Sequence, residues 1–240
     1  MPFLNKYFQQ NEQSIIITPK QASGFARDEA NDFNPIHDPE AKRFCVPGDL
    51  MFSLVLNKFG ISEKMTISFE GMLGASRNIK LIQNSPENIS ICDAESGKTY
   101  LNATRNGNTN NCSNLASEFA KQYVAFSGHN FPHILVPLME KHNAMINPLR
   151  PLVMYESMGF ELNTLEFEKP TLKLAGAELK TDGKRGDATI LFNIYSQDKI
   201  VGKGYKKLVL SGLRPFCQNE LDVLINAYAK RKEDHQTQQN

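Results

Sequence analysis

The residues best suited to chemistry stand together near the N-terminus, in the run Asp32-Phe33-Asn34-Pro35-Ile36-His37. It sets a carboxylate, an amide and an imidazole within six residues, around a proline that stiffens the turn. Asp32 and His37 can hold one water between them, with Asn34 orienting it. A carboxylate and an imidazole sharing a water form a general acid/base pair: the carboxylate accepts a proton, and the imidazole fixes the water's direction or returns the proton. The same six residues have a structural use, because Asp and Asn side chains satisfy the free backbone N–H groups at a helix start. Asp38-Pro39-Glu40 immediately downstream suits that second use.

Such a pair needs firm elements around it. Residues 14–18 (Ser-Ile-Ile-Ile-Thr) read as a short β-branched strand ended by Pro19, and 21–31 have helical composition leading into the motif. Residues 46–59 open with Pro47-Gly48 and carry Leu50, Met51, Phe52, Leu54, Val55, Leu56 and Phe59, with no charge between Asp49 and Lys58. A helix apolar nearly all round is a buried one, here wrapped by a sheet. Strands are predicted over 64–73, 78–83, 89–93 and 98–104, with turns marked by Gly, Asn and Ser. The polar stretch 106–114 is the candidate domain boundary.

The order then repeats. Residues 115–126 are predicted helical, 131–145 form a second apolar helical stretch kinked by Pro132 and Pro137, and strands follow over 155–167, 173–181, 188–196 and 200–211. Gln197-Asp198-Lys199 is predicted as a hairpin turn. A short helix over 221–232 closes the pattern, and the polar tail 233–240 is predicted to be disordered. An apolar helix followed by an antiparallel meander is satisfied when the sheet curls around the helix, as in the hotdog fold. The prediction is therefore an α+β double hotdog, two antiparallel sheets each wrapped around a central apolar helix. Residues 1–110 would form one unit and 111–240 the other, with the sheets joined edge to edge so that fewer edges are exposed.

Composition narrows the function. Lys and Arg number 27 against 26 Asp and Glu, and they are scattered, so there is no electrostatic footprint for nucleic acid. No apolar stretch approaches the ~20 residues of a membrane span, and Met-Pro-Phe-Leu-Asn-Lys lacks the apolar run of a secretory signal. Cys45, Cys92, Cys112 and Cys217 are widely spaced and read as reduced thiols of a cytoplasmic protein without structural zinc.

Taken with its flanks, the motif resembles that of the MaoC-like hotdog family, which includes the (R)-specific enoyl-CoA hydratases. Residues 38–44 (Asp-Pro-Glu-Ala-Lys-Arg-Phe) are similar to the family's segment after the motif histidine, and Val46-Pro47-Gly48-Asp49-Leu50-Met51 to the start of its central helix. In the second half, residues 161–174 resemble its first long strand with a bend at proline, and 193–206 its closing hairpin. The chain departs from the family in carrying Ala30-Asn31 where a small pair such as Ser-Gly is usual, in a shortened segment before the central helix, and in Asp49 after Gly48. These departures suit a divergent branch.

The resemblance implies that Asp32 and His37 activate a water for addition to a trans-2-enoyl thioester and deliver a proton to the adjacent carbon on the same face. It implies that the thioester oxygen is held by the N–H of Gly48 at the helix start, helped by the helix dipole, with Asn34 orienting. The acyl chain would run along the helix toward Leu54 and Phe59. No metal or redox cofactor is needed, and the partner is the CoA or acyl-carrier-protein handle, bound by a monomer with an internal pseudo-dimer or by a homodimer. Asp49 beside an oxyanion site would oppose the developing negative charge unless it points away. Two alternatives stand beside the hydratase: a non-catalytic acyl-thioester or lipid-binding hotdog, and a hotdog thioesterase using Asp49. The run Ser127-Gly128-His129-Asn130-Phe131-Pro132-His133 holds the matching place in the second half and reads as a degenerate structural copy. His142 and His235 read as surface residues.

Overall fold

A computed structural model describes residues 1–11 and 13–239. In chain order the elements are β1 (Gln9–Asn11), β2 (Ser14–Ile16), α1 (Pro19–Asp28), α2 (Gly48–Phe59), β3 (Ile61–Phe69), β4 (Asn78–Gln83), β5 (Asn88–Asp93) and β6 (Thr99–Asn110). The second half contributes α3 (Ser113–Ala125), α4 (Leu135–Lys141), β7 (Ala144–Met145), β8 (Leu152–Leu162), β9 (Thr171–Asp182), β10 (Arg185–Ser196), β11 (Lys199–Ser211), β12 (Arg214–Pro215) and α5 (Gln218–Gln239). Ten strands form one antiparallel sheet in the order β1-β2-β4-β5-β6-β3-β8-β11-β10-β9, and β7 pairs separately with β12.

That order contains the same motif twice. On one side β3 is followed outward by β6, β5 and β4. On the other, β8 is followed by β11, β10 and β9. The chain is thus a double hotdog, with the two sheets fused where β3 pairs with β8, from Lys64↔Glu161 to Ser68↔Ser157. Helix α2 is enclosed as its composition requires, with every residue from Asp49 to Leu56 buried. Its neighbour in the concavity is α3, whose Tyr123 stacks on Phe52 at 4.5 Å between centroids. Phe160 and Phe192 from the sheet close around the same tyrosine. The second helical stretch is broken, as its prolines predict: Phe131 is extended (φ −124°, ψ 133°) ahead of α4.

Two segments differ from expectation. The polar stretch 106–114 is largely ordered into strand and helix, since β6 runs on to Asn110 and α3 begins at Ser113, and the passage from the first half to the second lies within it. Its polar side chains are satisfied across the ladder to β3. Ser62 Oγ lies 2.7 Å from Thr109 Oγ1, and the Glu63 carboxylate accepts from the Asn108 N–H at 3.0 Å and from its amide at 2.9 Å. Nor is the tail disordered as far as it is described: α5 continues to Gln239, and Asn240 lies outside the described residues. Partners on the first half hold it there, with Arg231 paired to Asp38 and His235 Nε2 2.9 Å from Asp28. His235 is therefore a docked residue, largely buried and edge-on to Phe33 at 5.7 Å. No described helix is long and apolar enough to cross a membrane.

At the seam, Gly159 of β8 faces Thr66 of β3, and a Cβ placed there would stand 2.7 Å from the Met65 carbonyl oxygen and 3.0 Å from the Tyr205 ring. Gly159→Val is expected to cost about 1–3 kcal/mol through overpacking, read as a lower urea midpoint. An unchanged midpoint would show that the seam yields.

Candidate active site

Helix α1 aims the motif. A reciprocal cap starts it, with Thr18 Oγ1 accepting the Gln21 N–H at 3.2 Å and Gln21 Oε1 accepting the Thr18 N–H at 3.1 Å. It ends in a turn where the Asp32 N–H donates back to the Ala26 carbonyl at 2.8 Å and Asn31 takes φ +50°. Glycine adopts that left-handed conformation freely and asparagine tolerates it, so Asn31 can serve where a glycine is usual. Beyond the turn, Asp32 Oδ1 accepts the Asn34 N–H at 3.0 Å, and Asn34 Oδ1 accepts the Ile36 N–H at 3.2 Å, capping a one-turn 3-10 helix at Pro35–His37. The Asn34 amide also donates to the Val153 carbonyl of β8 at 3.2 Å. Asn34 is thereby a clip between the halves. The structural and chemical uses of the motif coexist, because only one oxygen of Asp32 is committed to the turn.

The other oxygen, Oδ2, stands 3.9 Å from His37 Nε2. That is too long for a direct hydrogen bond, and suits a group held between the two. His37 Nδ1 lies 2.7 Å from the Cys45 carbonyl oxygen. A carbonyl only accepts, so Nδ1 carries the proton and, in the neutral ring, Nε2 presents its lone pair toward Asp32. Burial raises the Asp32 pKa above the ordinary carboxylate value. The His37 charge and the Asn34 N–H oppose that rise, and the negative charge of Asp49 adds to it. Burial likewise pushes the nearby Cys45 thiol up to about 11.

Asp32, Asn34, His37 and Gly48 line one cavity of about 250 Å³ between the halves. Its other walls are mostly apolar, from Met51 of α2, Phe69 of β3, Val153 of β8 and Leu224 of α5. Gly48 is required by close approach: a Cβ there would sit 2.9 Å from the Phe69 ring and 3.2 Å from Tyr155. N–H groups of a helix's first turn have no intrahelical acceptor, so this end of α2 offers a donor to the cavity.

Leu54 and Phe59 do not line it. At 100° per residue Leu54 is turned well away from Gly48, and it is buried in the core. Phe59 shares the Gly48 face but lies ~16 Å further along the helix. Met51, one turn from Gly48, is the helix residue that reaches the cavity.

Asp49 points away from the cavity, into a buried network. Its Oδ1 accepts from Lys206 Nζ at 3.1 Å, and its Oδ2 accepts from Ser127 Oγ at 2.6 Å. Lys206 donates further to the Tyr123 carbonyl at 3.0 Å and to Ser127 Oγ. Tyr155 donates to Ser127 Oγ at 2.9 Å and accepts from the Asn130 amide at 2.9 Å. Lys206 has no exposed surface, and its pKa falls because of that burial, opposed by Asp49. Burial, and next the Asp49 charge, hold the Tyr155 hydroxyl well above its usual value.

Sequence reasoning missed Lys206, Ser127, Tyr155 and Asn130. One signal was present: along β11 the even positions 202, 204, 206, 208 and 210 all face inward, which sets Lys206 on the face of Leu208 and Leu210. In the second copy of the motif the side chains that join the buried network are Ser127 and Asn130. His129 and His133 are exposed.

Residues 2–219 match the family described as "Protein of unknown function (DUF3581)". The chain belongs to that family. Helix α5, which covers the Asp32–His37 run, lies almost wholly beyond the matched span. No curated protein matches the sequence. Among solved structures, a conserved hot dog fold protein from Alicyclobacillus acidocaldarius is similar at 9% identity and TM-score 0.48, covering 89% of this chain and 99% of its own. The tesB protein of Mycobacterium avium subs paratuberculosis is similar at 6% identity and TM-score 0.45, covering 86% and 96%. A MaoC-like dehydratase is similar at 7% identity and TM-score 0.41, covering 86% and 98%.

Two stability outcomes follow from these charges. Lys206→Met leaves Asp49 buried without its cation and is expected to destabilise by about 3–5 kcal/mol, whereas Asp49→Leu/Lys206→Met should recover much of that loss; a denaturant double-mutant cycle measures both. For Asp32, the raised pKa means that the folded state holds the proton more tightly. Its contribution is therefore full below about pH 3.9 and is lost as pH rises through the raised value. Asp32→Asn keeps the acceptor for the Asn34 N–H and is expected to raise the thermal midpoint at neutral pH but not at acid pH. An equal shift at both would contradict the cause assigned to the raised pKa.

Proposed function

We propose that this chain is a hydratase/dehydratase acting on acyl thioesters of the trans-2-enoyl type, carried on CoA or an acyl-carrier protein. The observation that carries this reading is the orientation of His37. With Nδ1 committed to the Cys45 carbonyl, Nε2 and Asp32 Oδ2 face each other across 3.9 Å in a cavity that is otherwise mostly apolar. In hydration a water held there forms its C–O bond to C3 and yields a proton to the pair. The pair returns a proton to C2 on the same face, so its proton count is the same before and after. The Gly48 N–H would stabilise the thioester oxygen as negative charge builds. Residues 1–110 would supply the acid/base pair and 111–240 the opposing wall, as expected of a divergent MaoC-like double hotdog acting as one chain or as a homodimer.

Asp49 bears on the alternatives. Both its oxygens are taken by Lys206 and Ser127, which offsets its charge near the oxyanion position and leaves it poorly placed as a base for thioester hydrolysis. A second groove shares Pro35, Ile36 and Pro151 with the cavity and is lined by Lys42, Arg43 and Arg150. It supports a phosphate-bearing handle leading into the site.

Mixing the purified chain with short trans-2-enoyl-CoAs and following the conjugated enoyl absorbance tests the reading. Absorbance is expected to fall, with Asp32→Asn slowing the reaction by about 10²–10⁴. Binding without any loss of absorbance would instead mark a non-catalytic acyl-thioester protein, and free thiol release would mark a thioesterase.

A further inference from the structure

The hydrogen bonds of the buried network run in one direction, and that direction leaves one atom open. A lysine ammonium only donates. Lys206 donates to Asp49, Ser127 and the Tyr123 carbonyl, which uses its three protons. The Asp49 carboxylate only accepts, so Ser127 must spend its single proton on Oδ2. Tyr155 must then be the donor in its bond to Ser127. With its proton committed, the Tyr155 oxygen can only accept, so the Asn130 side chain presents its NH₂ group to it. The Asn130 Oδ1 atom is left over. It is buried, has no partner among the described residues, and belongs to a side chain only 7% exposed that lines the cavity. A buried acceptor without a donor costs about 1–3 kcal/mol, so a ligand that supplies one gains correspondingly.

The segment that carries Asn130 packs against the Asp32 motif. A Cβ on Gly128 would stand 2.8 Å from the Ala30 carbonyl oxygen and 2.9 Å from the Asn31 Cβ. Phe131 packs edge-on against Tyr228, whose hydroxyl accepts the Phe33 N–H at 3.1 Å. The missing donor thus belongs near the reacting carbons of a ligand rather than at its far end. An enoyl chain carries no donor there, and a 3-hydroxyacyl chain carries one. Ser127 is not a competing nucleophile, because its proton is held by Asp49 and it is buried behind Tyr155.

We infer that Asn130 determines the specificity of this site: its amide oxygen accepts the hydroxyl of a 3-hydroxyacyl thioester, held in that orientation by the Lys206–Asp49–Ser127–Tyr155 relay. Asn130 is thus a ligand-selecting residue, and the site favours the hydrated member of the substrate pair. The inference rests on the acyl-thioester reading above.

Calorimetric titration of the full chain with 3-hydroxybutyryl-CoA and butyryl-CoA, which differ by one hydroxyl, tests it. The Asp32→Asn background slows turnover, so that binding is read before the ligand is consumed. The hydroxylated ligand is expected to bind at least about tenfold more tightly, and adding Asn130→Ala should bring the ratio near one. Should Asn130→Ala fail to fold, Tyr155→Phe, which leaves the amide unanchored, is expected to lower the ratio likewise. Equal affinities in the starting protein, or a ratio unchanged by either variant, would overturn the inference while leaving acyl-thioester binding intact. If neither CoA ester binds, the acyl-thioester reading fails and the inference with it.

Discussion

A lysine ammonium with no exposed surface sits at the centre of this molecule, and the geometry of the site depends on how it is satisfied. Taking a charge out of water costs several kcal/mol per ion even after relaxation, whereas burying an apolar side chain such as Phe52 gains about 1.5–3 kcal/mol. Well-packed apolar residues at both positions 49 and 206 would serve stability at least as well. What the ammonium supplies is connection. Its partners come from the first turn of α2, the last turn of α3 and the turn after it, so one group on β11 fixes three backbone segments. Two of those segments deliver Gly48 and Asn130 to the cavity wall.

The rest of the architecture serves that cavity from the outside. Fusing the sheets at β3 and β8 puts the motif of the first half opposite Val153 and Tyr155 of the second, and Asn34 ties the two with a single amide. Helix α5 then crosses the motif. The Tyr228 hydroxyl accepts the Phe33 N–H at 3.1 Å, its ring packs edge-on against Phe33 and Phe131, and burial raises its pKa. Asp32 and His37 thus lie under a cover whose contacts are made to the motif's own backbone.

Much of this was legible in the residues alone. The absence of charge between Asp49 and Lys58 identified the enclosed helix, and the β-branched and alternating runs located the strands. What escaped was information that periodicity carries only in three dimensions. Leu54 and Met51 are equally apolar, and only the phase of the helix separates the core face from the cavity face. Lys206 lies beside Lys207 in sequence as an ordinary surface pair, yet the two point to opposite sides of β11. The length of α5 was hidden because its polar residues are satisfied by Asp28 and Asp38, far away in the chain.

The central claim is that Asp32 and His37 work as one acid/base pair because Cys45 fixes the imidazole. Nitrogen-15 NMR of histidine-labelled protein, with His37 assigned by its loss in His37→Gln, tests this most directly. In its neutral form the ring is expected to show a protonated Nδ1 and a bare Nε2. The Nε2 resonance should respond when Asp32 is replaced by Asn. A proton found on Nε2, or an Nε2 signal indifferent to Asp32, would contradict the claim.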